Sequence, residues 1–216
     1  MARGFRGAVV RVKPEEVGVR LQELGLTEKV LIDGLEAGLA AKALCTSNHP
    51  PNFGGTSFWA EAVRWLRENL IPKGWRRDNS FNFPTIVRHD GKIAIAVAAG
   101  DEGTGLPKGN PSTRYERGPV MVGKVEVNQH LPFEHLPAGY GEPDPDTPEA
   151  TWLLLHFRAG DELRSELSFP LTINKAGFVE TWAERILLRV IPIDPARMPV
   201  LQDDPVEPTI DIRRKA

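Results

Sequence analysis

The last third of the chain contains three apolar runs separated by very short connections, and this pattern strongly constrains the fold. Residues 151–158, 163–173 and 178–191 are rich in Leu, Ile, Val, Phe and Trp. The connections, 159–162 and 174–177, each contain a glycine and have the length of a hairpin loop. Because parallel strands need a much longer crossover, the pattern predicts an antiparallel β-meander.

Further strands are predicted from local patterns. An Asp-Gly pair at 90–91, flanked by β-branched residues, is typical of a two-residue hairpin turn, so 84–100 is predicted to be a hairpin. Apolar residues at 5–12 and alternation over 120–128 each predict another strand. Pro170 falls inside the meander, and because it lacks an N–H for the ladder we predict an edge position or a bulge there.

The first half of the chain is predicted to hold three helices. Pro14 favours the first turn of one helix, and Gly25 favours its C-terminal end. Thr27 is a favourable N-cap for a second helix, 27–45. The third helix, 56–71, carries apolar residues at the spacing of a buried face, and we expect Thr56 or Ser57 to cap it.

Gly34 and Gly38 lie four residues apart on one face of the second predicted helix. Glycine inside a helix lowers its stability. Either another element approaches the helix closely at these positions, or the helix is only marginally stable.

Together these elements predict an α+β fold in which N-terminal helices pack on a mainly antiparallel β-sheet. A doubly wound parallel sheet is disfavoured because the strands cluster after the helices instead of alternating with them. We predict a helical and β-hairpin region with long Gly/Pro-rich loops over 1–140 and the meander over 141–216. A chain of 216 residues is long enough to hold both in one compact unit.

Composition and the N-terminus bear on the compartment. Cys45 is the only cysteine, so no intrachain disulfide can form, which suits a reducing compartment. The N-terminal apolar run, 8–10, is shorter than the roughly 7–15 residues of a signal peptide. No stretch approaches the roughly 18 apolar residues of a membrane span. We therefore predict a cytoplasmic protein without membrane association, and we predict no metal and no cofactor.

Residues 45–118 form a polar block that we interpret as the working surface. Two loops dense in Gly, Pro, Asn and Thr, 45–56 and 100–118, frame a Trp-rich helix and a hairpin. Such long loops are commonly functional. Residues 60–120 hold 10 basic and 7 acidic side chains, whereas 121–216 hold 10 and 16.

Cations beside aromatic rings suit nucleic acid, because the cations contact phosphates and the rings stack on bases. The chain as a whole has a net charge of −2, so a globally basic nucleic-acid binder is disfavoured and a local surface is favoured. The predicted contact residues are Arg64, Trp65, Arg67, Trp75, Arg76, Arg77, Lys108, Arg114 and Arg117.

The same block contains residue types that catalyse hydrolysis. Cys45 and His49 could act as nucleophile and base, and Asp101 and Glu102 follow a predicted strand, where carboxylates can act as acid and base. Their spacings match no nucleophile, nuclease or phosphate-loop motif. A hydrolase with its site between the two loops is therefore an alternative to the binding function.

Two more alternatives stay open. Phe58 and Trp65 could form the contact face of a module that binds only proteins. His130, His135 and His156 could ligate a metal, although packing or loop-capping roles are the simpler interpretation. The favoured prediction is a non-catalytic accessory protein, bacterial by the expanded character of its loops, that binds nucleic acid or a nucleoprotein or protein partner.

Overall fold

The computed structural model of the chain describes residues 7–131 and 149–194. Four α-helices form within this part of the chain: α1 (Pro14–Glu23), α2 (Glu28–Ala43), α3 (Phe53–Leu70) and α4 (Pro119–His130). The strands are β1 (Val9–Arg11), β2 (Arg76–Asp78), β3 (Thr85–Val87), β4 (Ile93–Ala99), β5 (Ala150–Ala159), β6 (Glu162–Ile173), β7 (Val179–Leu187) and β8 (Ile191–Pro192). The predicted domain boundary at residue 140 and the predicted ligand His135 lie outside the described residues.

The eight strands form one mixed sheet in the order β1-β7-β6-β5-β4-β3-β2, with β8 paired to β6. The predicted meander is confirmed as β5, β6 and β7, and the predicted hairpin is confirmed as β3 and β4. Its turn is longer than the two residues predicted, because residues 88–92 separate the two strands. However, β4 pairs parallel to β5, and β1 pairs parallel to β7. The prediction of a mainly antiparallel sheet is therefore only partly right. The long β4–β5 connection brings the chain back to the end of the sheet at which β4 begins, so β5 runs in the same direction as β4.

The strand predicted at 120–128 is wrong, because this stretch lies in α4. Pro119 occupies the first turn of the helix, which its fixed φ favours. Met121, Val125 and Asn128 form the buried face, and their spacing is helical. Val120, Val122 and nearby valines also fit the alternation of a strand, so the local pattern alone does not separate the two structures.

Pro170 lies in β6 beyond the last pair that this strand forms with β5, Leu153 with Ser168, so among the described residues it has no ladder partner on that side. The pairing of β6 with β7 shifts register on both sides of Pro170. The predicted bulge is therefore confirmed, and it accommodates a residue without an N–H for the ladder. The Pro170 carbonyl accepts a hydrogen bond from Nδ2 of Asn128 in α4, at 3.0 Å.

The start of α2 agrees with the prediction, whereas the start of α3 does not. Thr27 caps α2 as predicted, since its Oγ1 accepts a hydrogen bond from the Val30 N–H at 3.3 Å. Helix α3 begins at Phe53, earlier than predicted, and Asn52 holds the N-cap position without a side-chain hydrogen bond. Thr56 therefore lies inside the helix, where its hydroxyl donates to the Asn52 carbonyl.

The two glycines of α2 face α3. A Cβ on Gly38 would lie 2.7 Å from the carbonyl oxygen of Phe58, and one on Gly34 would lie 3.3 Å from the Leu66 side chain. Close approach of a second helix, rather than marginal helicity, is therefore the reason for glycine at these positions.

The sheet separates two hydrophobic clusters. Alternate residues of β4 point to opposite faces, so Ile95 joins the cluster under α1, α2 and α3, and Ala96 joins the cluster under α4. The larger cluster also holds Trp152 and Phe169, while the smaller one holds Trp182. The N-terminal helices thus cover one face of the sheet and α4 covers the other, so the predicted packing of N-terminal helices on the sheet is only partly matched.

Candidate nucleic-acid interface

The long 100–118 connection, predicted to be a functional loop, is tied tightly to the sheet. The Trp182 Nε1–H donates to the Pro111 carbonyl at 2.7 Å, and Arg185 Nη1 donates to the Gly109 carbonyl at 2.6 Å. The Gly105 N–H donates to the Glu166 carboxylate at 2.8 Å. These bonds make the connection a fixed cover over the sheet.

A buried ion pair supports this cover. Glu166 of β6 and Arg185 of β7 are 2.5 Å apart and are both excluded from solvent. Ser168 Oγ also donates to the Glu166 carboxylate, at 2.7 Å. The pair therefore has a structural role, because both charges are satisfied by each other and by the loop that they hold.

Three of the predicted contact residues lie on this connection. Lys108 and Arg114 are exposed, and Arg114 lies over the Tyr115 ring at 5.7 Å. Arg117 is half-buried, and its backbone N–H donates to the Gly177 carbonyl at 2.7 Å.

Arg114 and Arg117 are also near His156, at the end of β5. The His156 ring lies against the Phe58 ring at 4.2 Å. Burial and, to a smaller extent, the positive charges of Lys42, Arg117 and Arg114 together lower the pKa of His156 to about 3. His156 is therefore a neutral ring packed in a basic neighbourhood.

The other predicted contact residues surround the outer surface of α3. A groove of about 590 Å³ runs between α3 and the β2–β3 edge of the sheet. We call it the α3 groove; its lining residues are Trp59, Ala60, Val63, Arg64, Arg67, Glu68, Ile71, Pro72, Arg77, Asn79 and Pro84. The structure therefore places Arg64, Arg67 and Arg77 in one groove, and Lys108, Arg114 and Arg117 do not line it.

Arg67 connects α3 to the edge of the sheet. Its Nη2 donates to the Asp78 carbonyl at 2.9 Å, to Asn79 Oδ1 at 2.7 Å and to the Thr85 carbonyl at 3.0 Å. Burial lowers the pKa of Arg67 most, and the positive charge of Arg77 lowers it as well. The negative charge of Asp78 acts in the opposite direction and raises this pKa. The hydrogen-bond partners of this guanidinium are neutral groups, so they do not neutralise its positive charge.

The remaining arginines of the groove differ in how their charges are balanced. Arg64 is paired with Glu61 at 2.8 Å and also with Glu68 on the same helix. Arg76 and Arg77 are exposed on the edge strand β2, and neither makes a side-chain hydrogen bond or ion pair within the described part of the chain. Arg76 and Arg77 of β2 are therefore available to a ligand in addition to Arg67.

The tryptophans do not all lie where the sequence suggested. Trp75 is 4% exposed and belongs to the core, so it cannot contact a ligand as predicted. Trp65 is half-buried and does not line the α3 groove. Trp59 lines the groove and is partly buried against the core.

Phe81 is a second aromatic residue that the sequence analysis missed. In the chain it stands between Asn79 and Pro84, which both line the groove; Phe81 itself does not line it and is 84% exposed. Its φ is 57° and that of Asn82 is 55°, so two consecutive residues other than glycine adopt the left-handed conformation. The sequence signal was weak, because the alternation of Phe81 and Phe83 spans only three residues and does not show which ring is exposed.

The residues considered for hydrolysis have local structural partners. Cys45 is buried, and its Sγ–H donates to the Ala41 carbonyl at 3.6 Å. His49 Nδ1 accepts from the Thr46 N–H at 3.0 Å, and its ring stacks on Phe53. Neither Cys45 nor His49 lines the α3 groove.

The two carboxylates of the same hypothesis flank a turn. Asp101 Oδ1 accepts from the Gly103 N–H at 3.1 Å, and Glu102 is exposed. Across 7–131 and 149–194, no group of three or more His, Cys, Asp or Glu side chains is arranged to hold a metal ion. In the same ranges no helix combines the length and the apolar character that a membrane crossing requires.

Comparisons with protein-family models, with curated proteins and with solved structures found no match to this chain.

Proposed function

We propose that this protein is a non-catalytic accessory protein that binds single-stranded nucleic acid through the α3 groove. The observation that carries the proposal is the pair Arg67 and Arg77. Both line the groove, and the charge of Arg77 is near enough to lower the pKa of Arg67. No carboxylate among the described residues forms an ion pair with either guanidinium. A phosphate between them would relieve this repulsion.

The rest of the lining supports a single strand over a duplex. Trp59, Val63 and Pro84 give the groove an apolar and partly aromatic floor, which suits the face of an unpaired base. Its volume lies in the range of sites that hold one small molecule, about 300–1,000 Å³. The groove is therefore large enough to receive an unpaired base, whereas the bases of a duplex are stacked inside the helix and cannot enter it.

The position of β2 supports the same ligand. This strand is three residues long and lies at the edge of the sheet, with Arg76 and Arg77 exposed. Charged residues on a short edge strand also discourage pairing with the strand of another protein. The edge therefore suits an anionic chain that runs past α3.

The direct test is a fluorescence anisotropy titration of the full chain with labelled single-stranded DNA, single-stranded RNA and duplex DNA at two salt concentrations. We expect single strands to bind more tightly than the duplex, and binding to weaken as salt rises. Absence of salt-dependent binding at low salt would overturn the proposal.

A charge reversal locates the site. Arg77→Glu should weaken binding by about tenfold or more, because it replaces a phosphate contact with a repulsive charge. The matched control is Arg158→Glu, since Arg158 is exposed in the β5–β6 hairpin and its side chain, among the described residues, bonds only to the nearby Gly160 carbonyl. Equal effects of the two variants would place the binding surface elsewhere.

A further inference from the structure

We propose that Phe81 is a preorganised stacking ring for one unpaired base of the strand in the α3 groove. This inference rests on the proposed function. It assigns the contact with a base to Phe81, whereas the groove arginines contact phosphates. It starts from an exposed aromatic ring held in an unfavourable backbone conformation.

The backbone conformation of Phe81 is unfavourable, and burial of its side chain does not compensate for it. Phe81 has φ 57° and ψ 30°, in the left-handed region that is disfavoured for a residue with a Cβ. With 84% of its surface exposed, the side chain gains little from burial. Backbone strain of this kind persists only where the surrounding structure imposes it, and such residues concentrate at binding sites.

The surrounding structure imposes the conformation through a dense set of hydrogen bonds. The Ser80 N–H and Oγ–H both donate to Asp78 Oδ1, at 2.9 Å and 2.6 Å. The Asn82 N–H donates to the Asn79 carbonyl at 3.2 Å. Arg67 of α3 in turn donates a hydrogen bond to Asn79 Oδ1. The segment between β2 and β3 is thereby fixed with the Phe81 side chain in solvent.

The charges around Phe81 select the kind of partner. Arg77 lines the groove, Arg76 lies beside it on β2, and both are exposed. Phe81 follows these two arginines closely in the chain, and an exposed ring on the same segment as exposed cations suits a single strand, in which a base stacks on the ring and the flanking phosphates meet the cations. A purely apolar partner would leave these arginines without a counter-charge.

The test compares a normal strand with one that lacks bases. A labelled thymidine oligonucleotide and an abasic oligonucleotide of equal length are titrated against the wild type and Phe81→Ala at low salt. Stacking on an aromatic side chain contributes about 1–3 kcal/mol per base. We therefore expect Phe81→Ala to weaken thymidine-strand binding about 5-fold to 150-fold and to leave abasic-strand binding unchanged.

Two control variants sharpen the result. Phe81→Tyr keeps an aromatic face and should retain most of the affinity. Leu44→Ala removes an exposed apolar side chain, 81% accessible and outside the groove lining, and should change neither titration. Because Phe81 is exposed, its variants are expected to keep the wild-type circular dichroism spectrum.

The outcomes separate this inference from the proposed function. If the wild type binds both strands with salt dependence and Phe81→Ala binds them as the wild type does, the stacking role is wrong and the groove assignment stands. If the wild type binds neither strand, both proposals fail. A Phe81→Ala defect that is equal on the two strands would also overturn stacking, since it would show a loss of phosphate contacts. Tight binding of a purified protein partner at Phe81, without strand binding, would overturn both.

Discussion

Glu166 and Arg185 lie on adjacent strands as a buried ion pair, with their charged atoms 2.5 Å apart and the 100–118 connection bonded to both side chains. Removing one partner leaves an unpaired charge in the interior, which typically costs about 3–5 kcal/mol. We expect Glu166→Gln to lower the free energy of unfolding by that amount, measured by urea denaturation. Hydrogen exchange of the Gly105 amide should rise as well.

The matched control is Glu36→Gln, which breaks the exposed pair of Glu36 with Arg189. Exposed pairs contribute roughly 0–1 kcal/mol, so this variant should unfold almost as the wild type does. Equal losses in the two variants would show that Glu166 does not anchor the connection.

The contact between α2 and α3 gives a second prediction. Gly38→Ala would place a Cβ 2.7 Å from the Phe58 carbonyl oxygen and close to the Phe58 ring. The helices must separate to admit it, so we expect the free energy of unfolding to fall by about 1–3 kcal/mol.

Gly18→Ala is the control for helix propensity. Gly18 is exposed in α1, and a Cβ there would meet no atom within 4 Å. This variant should gain about 0.5–1 kcal/mol, measured by the same denaturation. A gain in both variants would mean that the helices do not touch at Gly38.

The pKa of His156 predicts a loss of stability in acid. Its pKa is about 3 in the folded protein and 6.5 when unperturbed, so below pH 6.5 the unfolded chain binds a proton that the folded chain does not. The contribution of neutral His156 is complete above pH 6.5 and is lost as the pH falls from 6.5 towards 3. Between pH 7 and pH 5 we expect a loss of about 1–2 kcal/mol from this residue.

Urea denaturation of the wild type and of His156→Phe at the two pH values isolates this contribution. Phenylalanine preserves a ring against Phe58 and has no proton to bind. The variant should therefore lose less stability in acid than the wild type, and parallel losses would contradict the assignment.

The strained conformation of Phe81 gives a fourth prediction. Glycine adopts positive φ without a Cβ penalty, so Phe81→Gly should raise the free energy of unfolding by about 0.5–1 kcal/mol, after the greater entropy of the unfolded glycine is subtracted. The control is Leu44→Gly, because Leu44 is similarly exposed but has φ −81°. That variant should be neutral or less stable, whereas a loss at Phe81 would show that the ring contributes to the fold.

Much of the fold was predictable because its signals are local. The meander follows from alternating apolar residues and short glycine-containing loops, and the β3–β4 turn follows from Asp90 and Gly91. The start of α2 follows from the capping side chain of Thr27. Helix α4 was mistaken for a strand because its valines fit both periods, and its packing against the sheet decides between them.

The candidate site was only partly predictable. The basic character of the block and the contribution of Arg64, Arg67 and Arg77 to one surface were visible in the sequence. The burial of Trp75 and the exposure of Phe81 were not, because each depends on contacts between separate elements. The 100–118 connection has the composition of a flexible loop, yet side chains more than 60 residues away hold it in place.

By itself, therefore, the sequence determined the α+β class, the meander, the hairpin and the local excess of positive charge, since these depend on periodicity, turn chemistry and composition. The tertiary structure alone decided that β4 and β5 run parallel, that α4 is a helix, and that Arg67 joins α3 to the β2–β3 edge to form a groove. The physical reason is that burial and long-range hydrogen bonding select among conformations that the local sequence leaves nearly equal in energy.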